Sequence, residues 1–160
     1  MTTPNKIDYA NRTLVENRRA RAKYTVEELM EVGVVLVGSE VKSIRAAKIE
    51  VADAWVHVSS QGQLHLLNAY VAPYTFATAY KHEPKRVRTL LAHRKEITKL
   101  EAKIKAKGFT VIPMRVYLKE GRIKIELGLC KGKDGADRRQ EIKERESIRE
   151  TRAVLKARNQ

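Results

Sequence analysis

The amino-acid sequence predicts a mainly β fold, a small barrel with helices set between its strands. Three observations carry this reading. Large apolar and β-branched side chains are concentrated in residues 23–130, between a basic, polar N-terminal arm (1–22) and a charged tail (131–160). Inside that middle zone they alternate with polar residues in short runs broken by glycine turns, the period of strands with one buried face. Two segments abandon the alternation for helical spacing, and helices inserted among several short strands favour a barrel over a parallel sheet. With 160 residues, 42% of them hydrophobic, the chain is long enough for one buried core and too short for two.

In chain order, "AKYTVEELMEVGVVLVG" reads as strand, ending in a Val-rich run between Gly33 and Gly38. A short helix follows in "SEVKSIRAAK", with Ser39 as its N-cap. "VADAWVHVSSQGQLHLLNAYV" divides into two strands at Gln61-Gly62. Ala54, Val56 and Val58 share a face that Leu64 and Leu66 resume, and His57 and His65 stand symmetrically about the turn. "EPKRVRTLLAHRKEITKLEAKIKAKG" reads as one long helix, with Pro84 in its first turn, Gly108 as its stop, and Lys103, Lys105 and Lys107 at the negative end of its dipole. Leu90, Ile97 and Ile104 recur every seven residues along it, and Leu91 and Leu100 widen the stripe. "PMRVYLKEGRIKIELGL" is the clearest hairpin. Met114, Val116 and Leu118 point inward, the chain turns at Glu120-Gly121, and Ile123, Ile125 and Leu127 return. Its other face carries Arg115, Tyr117, Lys119, Arg122, Lys124 and Glu126, wet and mostly cationic.

The charge balance is the outlier. Lys and Arg total 33 against 19 acids, a formal net charge of +14 and a pI near 10.0. Self-repulsion of that size implies an anionic partner, nucleic acid first and acidic membrane second. Membrane-surface binding needs a basic amphipathic helix with a bulky apolar face, and no segment combines the two. No apolar run approaches the ~18 residues of a membrane span, and "MTTPNKIDYANR" has no signal-peptide core. The single cysteine, Cys130, cannot make an internal disulfide, which suits a reducing compartment. A cytoplasmic location is expected.

Catalysis finds little support. The histidines are His57, His65, His82 and His93, and a metal held by His57 and His65 lacks its third and fourth ligands. There is no phosphate-cradling glycine loop, nucleophile elbow or zinc-protease motif. No catalytic residue, metal or cofactor is therefore expected, and the protein is read as not an enzyme. Nucleic-acid features are stronger. "NRRARAKY" places Arg18, Arg19, Arg21 and Lys23 beside Asn17 and Tyr24, and guanidinium groups both fork onto phosphates and stack on bases. "GSEVKSIRAAK" sets Lys42 and Arg45 on one side of a helix with Glu40 in its first turn. Glu40 alternatively complements the helix dipole, with the two cations a solvated face.

The tail holds ten Lys and Arg against six Asp and Glu, a net +4, and its large aliphatics are only Ile142, Ile148, Val154 and Leu155. That is too little apolar surface to offset ordering about 30 residues at about 1–2 kcal/mol each. Disorder in the free protein is expected, with helix forming against a strongly anionic surface and Glu141–Arg145 as an i,i+4 pair.

These blocks, in this order, closely resemble the SmpB family, the SsrA-binding proteins of bacterial trans-translation. The likeness is carried by "NRRARAKY", "EVGVVLVGSEVKSIRAAK", "HEPKRVRTLLAHRKEI", "KGFTVIPMRVYLKEGRIKIELGLCKGK" and "DRRQEIKERE". The resemblance implies a six-stranded, OB-like antiparallel barrel and an adaptor without enzymatic activity. It implies that the protein binds the tRNA-like domain of transfer-messenger RNA (tmRNA, SsrA RNA), with EF-Tu on the alanyl-tmRNA. It further implies delivery to stalled ribosomes, whose rescue switches translation to a degradation tag. Carried onto this chain, tmRNA contact falls on Asn17, Arg18, Glu31, Glu40, Lys42, Arg45, Leu91, His93 and Lys124, with His93 also open to a role in helix packing. Contact with ribosomal RNA of the decoding centre and mRNA channel falls on Gly132, Lys133, Asp137, Arg138 and Arg139. Two departures stand out: Ala136 where many relatives carry a ring, and Asp134-Gly135 where relatives often have a second lysine.

Overall fold

The hairpin that is clearest in the sequence is the spine of the computed structural model, which describes residues 11–76, 81–106, 108–133 and 135–158. At 135–138, 141 and 158 only the backbone is described, and the expectations placed on Lys107 and Asp134 lie outside the described residues, as does the Glu141 side chain. Strands β8 (Phe109–Lys119) and β9 (Arg122–Gly132) pair antiparallel along their whole length, following the helix α3 (Arg94–Ala106). Glu120 and Gly121 turn between them at φ 51° and 76°, the two positive angles that a two-residue hairpin loop requires.

Among the described residues the order opens with β1 (Arg12–Glu16) and α1 (Arg18–Lys23), then β2 (Tyr24–Val34), α2 (Gly38–Arg45), β3 (Ile49–Glu50), β4 (Trp55–Val58), β5 (Leu64–Leu67), β6 (Tyr70–Val71) and β7 (Arg88–Leu91). β2 runs along β9 and passes to β7 at Gly33 and Val34. β7 pairs with β5, β5 with β4, and β4 returns to β8 at Val56↔Val111. The result is a closed ring of six strands, β8-β4-β5-β7-β2-β9, with β1 added on β8 and a separate β3–β6 pair. This is the small barrel with inserted helices that the sequence pattern predicts, and its six antiparallel strands are those the resemblance implies. His57 lies opposite His65 in the β4–β5 register.

The barrel interior holds Val56, Leu64, Leu66, Val116, Ile125 and Leu127, all nearly inaccessible, with Leu100 of α3 closing one side. Each such side chain contributes on the order of 1.5–3 kcal/mol by leaving water. Met114, read as facing this core, belongs instead to a second cluster with Ala20, Ile112 and Cys130. The β8–β9 register slips between Pro113 and Arg115, and that bulge rotates the strand by one residue. Gly128 makes the room, since a Cβ there would stand 2.8 Å from Met114 Cγ. Burial in this cluster pushes the Cys130 thiol up to about 11.

Three local expectations are corrected. Arg88–Leu91 is strand, not the first turns of a helix: Arg88 and Leu90 point in while Leu91 points out, so the seven-residue leucine recurrence bridged a strand and a helix. Pro84 lies in the preceding loop, where its carbonyl accepts from Val71 N–H and Arg88 Nη2. Ser39 does not cap α2; Val37 holds that position and Ser39 Oγ bonds His82 Nδ1 at 2.9 Å. The tail, Gly135–Arg158, forms one helix, α4, whose described side chains are all exposed. The tail is rich in Arg, Glu, Lys and Ala, whose intrinsic preference supports helix without packing. Gly108, at φ 57°, ends α3 as expected. Among the described residues no helix is long and apolar enough to cross a membrane.

Candidate nucleic-acid interface

Outward positions of β2 alternate, so Leu29, Glu31 and Gly33 share one face while Val32 is buried in the core. Leu91 of β7 stands beside Gly33, and Lys124 of β9 opposite it. A Cβ on Gly33 would lie 3.3 Å from Leu91 Cβ, so the glycine is what lets the leucine close over β2. The carbonyl of His93 accepts the first bond of α3 from Ile97 N–H at 3.1 Å, and Glu96 reaches back to His93 N–H at 3.2 Å. His93 is thereby fixed at the helix N-terminus, exposed rather than packed in the apolar stripe. An open groove of about 600 Å³ results, lined by Glu31, Gly33, Leu91, His93 and Lys124 among others. Four of the residues expected at an RNA contact thus meet in one place.

Glu31 is held rigidly. Tyr117 donates its hydroxyl to Oε2, and Lys119 Nζ lies 3.2 Å from Oε1. The Tyr117 hydrogen bond, with Lys119 beside it, keeps the Glu31 carboxyl below the usual carboxylate range. Burial and the neighbouring carboxylate both raise Tyr117, which therefore remains a donor. The outer hairpin face is less wet than its alternation suggests: Tyr117 is 9% exposed, covered by the Arg115 guanidinium 4.5 Å from its ring centre, and Arg115 pairs with Glu126 at 3.0 Å.

Helix α2 supplies the second cationic surface. Lys42 is exposed, 5.1 Å from the centre of the Tyr74 ring. Arg45 is exposed too, donating to Gly121 O in the hairpin turn while its own carbonyl accepts from Arg12. Glu40 lies inside. It is fully buried between Arg86 Nε and Arg88 Nε, each at 2.7 Å. Burial raises its pKa, but hydrogen bonds and charge from the two arginines prevail and hold it below the ordinary value. Asn17 is also buried: it donates to Val51 O and Pro113 O and accepts from Ala20 N–H, capping α1. Both residues, expected at an RNA contact, are thus buried, Glu40 holding Arg86 and Arg88 and Asn17 holding the start of α1. Arg86 and Arg88, the partners of Glu40, were missed; only Arg88 lies in a strand.

The remaining expected residues gather elsewhere. Arg18 is exposed on α1, Gly132 pairs with Tyr24 at the far end of β2, and Lys133 binds back to α1 through its N–H to Lys23 O and its Nζ to Arg21 O, both at 3.1 Å. Nine residue steps along β2, from Tyr24 to Gly33, separate this tail root from the far end of the groove, about 30 Å at about 3.3 Å per residue. Arg139 is exposed on α4; Asp137 and Arg138 lie on its backbone, and their side chains are outside those described.

Known proteins resemble this one over nearly its full length. SsrA-binding proteins from Chlamydia pneumoniae (47% identical, 94% of this chain and 99% of that one) and Symbiobacterium thermophilum (45% identical, 91% and 92%) align with it. So does the SsrA-binding protein of Streptococcus pneumoniae strain CGSP14, 44% identical over 93% of this chain and 96% of its own. A solved chain from "tmRNA-SmpB: a journey to the center of the bacterial ribosome" superposes with a TM-score of 0.64 at 40% identity, covering 76% of this chain and 85% of that one. The match to the family described as SmpB protein runs over residues 14–157, and the chain belongs to that family.

Proposed function

We propose that this protein is an RNA-binding adaptor that grips the tRNA-like domain of tmRNA and brings it to stalled ribosomes for trans-translation. One observation carries the reading: the groove and the tail root occupy opposite ends of β2. One end offers Glu31, Leu91, His93 and Lys124, with Lys42 and Arg45 nearby on α2. The other launches a cationic helix whose described side chains are all exposed. Two separated RNA surfaces suit a bridge between two RNAs. The names of the relatives, with a solved relative described together with tmRNA and the ribosome, support the same assignment. Gly132, Lys133, Asp137, Arg138 and Arg139 belong in this reading to the ribosomal end, and Arg18 to the tmRNA contacts. The role is binding, not catalysis.

The test is direct. Full-length protein is expected to bind the tRNA-like RNA with steep salt dependence, as neutralising several phosphates requires. Removing residues 134–160 is expected to leave that binding intact and abolish tagging in a reconstituted translation reaction. Tagging that survives the deletion would refute the assigned tail role.

A further inference from the structure

Glu31 poses a chemical problem. An ionised carboxylate beside RNA phosphates is repulsive, yet this one is oriented by Tyr117 and Lys119 and faces into the groove of a +14 protein. An acceptor-only group is useful there if the ligand brings donors. RNA offers the 2′-hydroxyl and the base edges, and unstacked bases expose their Watson–Crick edges to side chains. Guanine alone presents two adjacent donors, N1–H and the N2 amino group, matching the two oxygens of a carboxylate. Adenine and cytosine bring one amino donor beside a ring acceptor, and uracil one imino donor between two carbonyls.

The surroundings fit a single base. Leu29 and Leu91 are 56% and 57% exposed, and they flank Glu31 on either side. From Leu29 to Gly33, where Leu91 sits, the strand advances about 13 Å at about 3.3 Å per residue, room for one purine. Tyr117 and Lys119 approach the carboxylate from β8, leaving its groove side open, since two carboxylate oxygens offer about four acceptor sites. Lys124, opposite Gly33, is placed to neutralise the phosphate of the same nucleotide.

We propose that this recess is a guanine subsite: one unstacked guanosine of the bound RNA donates N1–H and N2–H to the Glu31 carboxylate while its faces rest against Leu29 and Leu91. The subsite rests on the RNA-binding reading above, and Leu29 enters it as a residue the sequence did not single out. Glu31 confers base identity; the two leucines confer affinity without preference.

The test uses the full chain and two probes, the folded tRNA-like RNA and single-stranded tetranucleotides differing at one central base, read by fluorescence anisotropy at low salt. Guanine is expected to bind about tenfold to a hundredfold better than the other three bases, and inosine, lacking the N2 amino group, to lose most of that advantage. Glu31→Gln is expected to level the ranking, and Leu29→Ala to weaken all four probes while keeping it. Equal binding of the four bases, or no tetranucleotide binding, with the folded RNA still bound, overturns the guanine subsite and leaves the adaptor reading standing. A guanine preference that persists in Glu31→Gln, with melting temperature unchanged, also overturns it. Failure to bind the folded RNA removes the adaptor reading itself.

Discussion

Glu40 is expected to act on RNA binding only through the fold, and Glu40→Ala tests this. Arg88 is 1% exposed and Glu40 not at all. The guanidinium donates Nε to Glu40, Nη1 to the carbonyls of Ala69 and Arg86, and Nη2 to the carbonyl of Pro84. Removing the carboxylate leaves every one of those carbonyl contacts but strips a buried cation of its counter-charge. Breaking a buried pair in this way costs about 3–5 kcal/mol. In a chain of this size each kcal/mol lowers the midpoint by about 2–4 °C, so a fall of about 6–20 °C is expected. Arg88→Met is expected to cost less on the charge side, because Arg86, with a side chain 34% exposed, still faces Glu40. The paired replacement Glu40→Leu with Arg88→Met is expected to recover a large part of the loss, since apolar groups of similar volume often replace a buried pair at little cost. Thermal denaturation of the parent, Glu40→Leu, Arg88→Met and the paired replacement closes a double-mutant cycle. Below the melting range, Glu40→Ala is expected to bind the tRNA-like RNA with an unchanged salt slope, because no phosphate contact is lost. A variant melting within about 2 °C of the parent, a loss of about 1 kcal/mol or less, would refute the structural role. A fully folded variant with a flattened salt slope would place Glu40 at the RNA after all.

Further outcomes follow from the same geometry. Since the folded Glu40 value lies below its ordinary 4.5, its contribution is complete above that pH and is lost as pH falls through the folded value; urea midpoints of the parent are expected to drop below pH 4.5 more steeply than those of Glu40→Gln. Gly128→Ala drives a Cβ into Met114 and Cys130, and overpacking of this kind costs about 1–3 kcal/mol, readable as a lower urea midpoint. Lys42→Ala and Lys124→Ala are each expected to lower the salt slope of RNA binding by about one, whereas Tyr74→Leu, which removes only the ring beside Lys42, is expected to preserve it. Deleting residues 134–160 is expected to leave the melting temperature unchanged; deleting 131–160 lowers it, because Lys131 and Gly132 still pair within the sheet.

The β8–β9 hairpin was legible because period-two alternation runs through both strands to a glycine turn, and nothing nearby imitates a helix. β7 was not legible, for a physical reason: four strand residues precede α3 by two positions, and their leucine falls in phase with the helix stripe. Hydrophobic period cannot separate a short strand from a helical turn when the same side chains satisfy both. Met114 shows a different limit. A register slip moves a side chain between clusters without altering any local pattern. At the candidate site, cation identity was readable from residue type, but burial was not. The partners of Glu40 stand 46 and 48 residues away, and only the closed barrel tells a buried acid from an exposed one.

The distribution of acids explains how a +14 chain folds and still presents charge outward. Glu28 is matched by Lys99 and Lys103, Glu40 by Arg86 and Arg88, Glu126 by Arg115, and Glu31 by Lys119. Each pair joins segments distant in sequence or neighbouring strands, so the acids relieve repulsion where the barrel must close. Among the described residues no carboxylate forms an ion pair with Lys42, Arg45 or Lys124. Their positions are set by neutral contacts instead: the Tyr74 ring, the Gly121 carbonyl and the β2–β9 register. A cation held by a ring or a carbonyl keeps its full charge for a phosphate, whereas one held by a carboxylate must give up that pairing first. The barrel therefore fixes these three exposed cations without pairing them to a carboxylate, and the exposed acid left in the groove, Glu31, is the one whose orientation is set by a buried phenol.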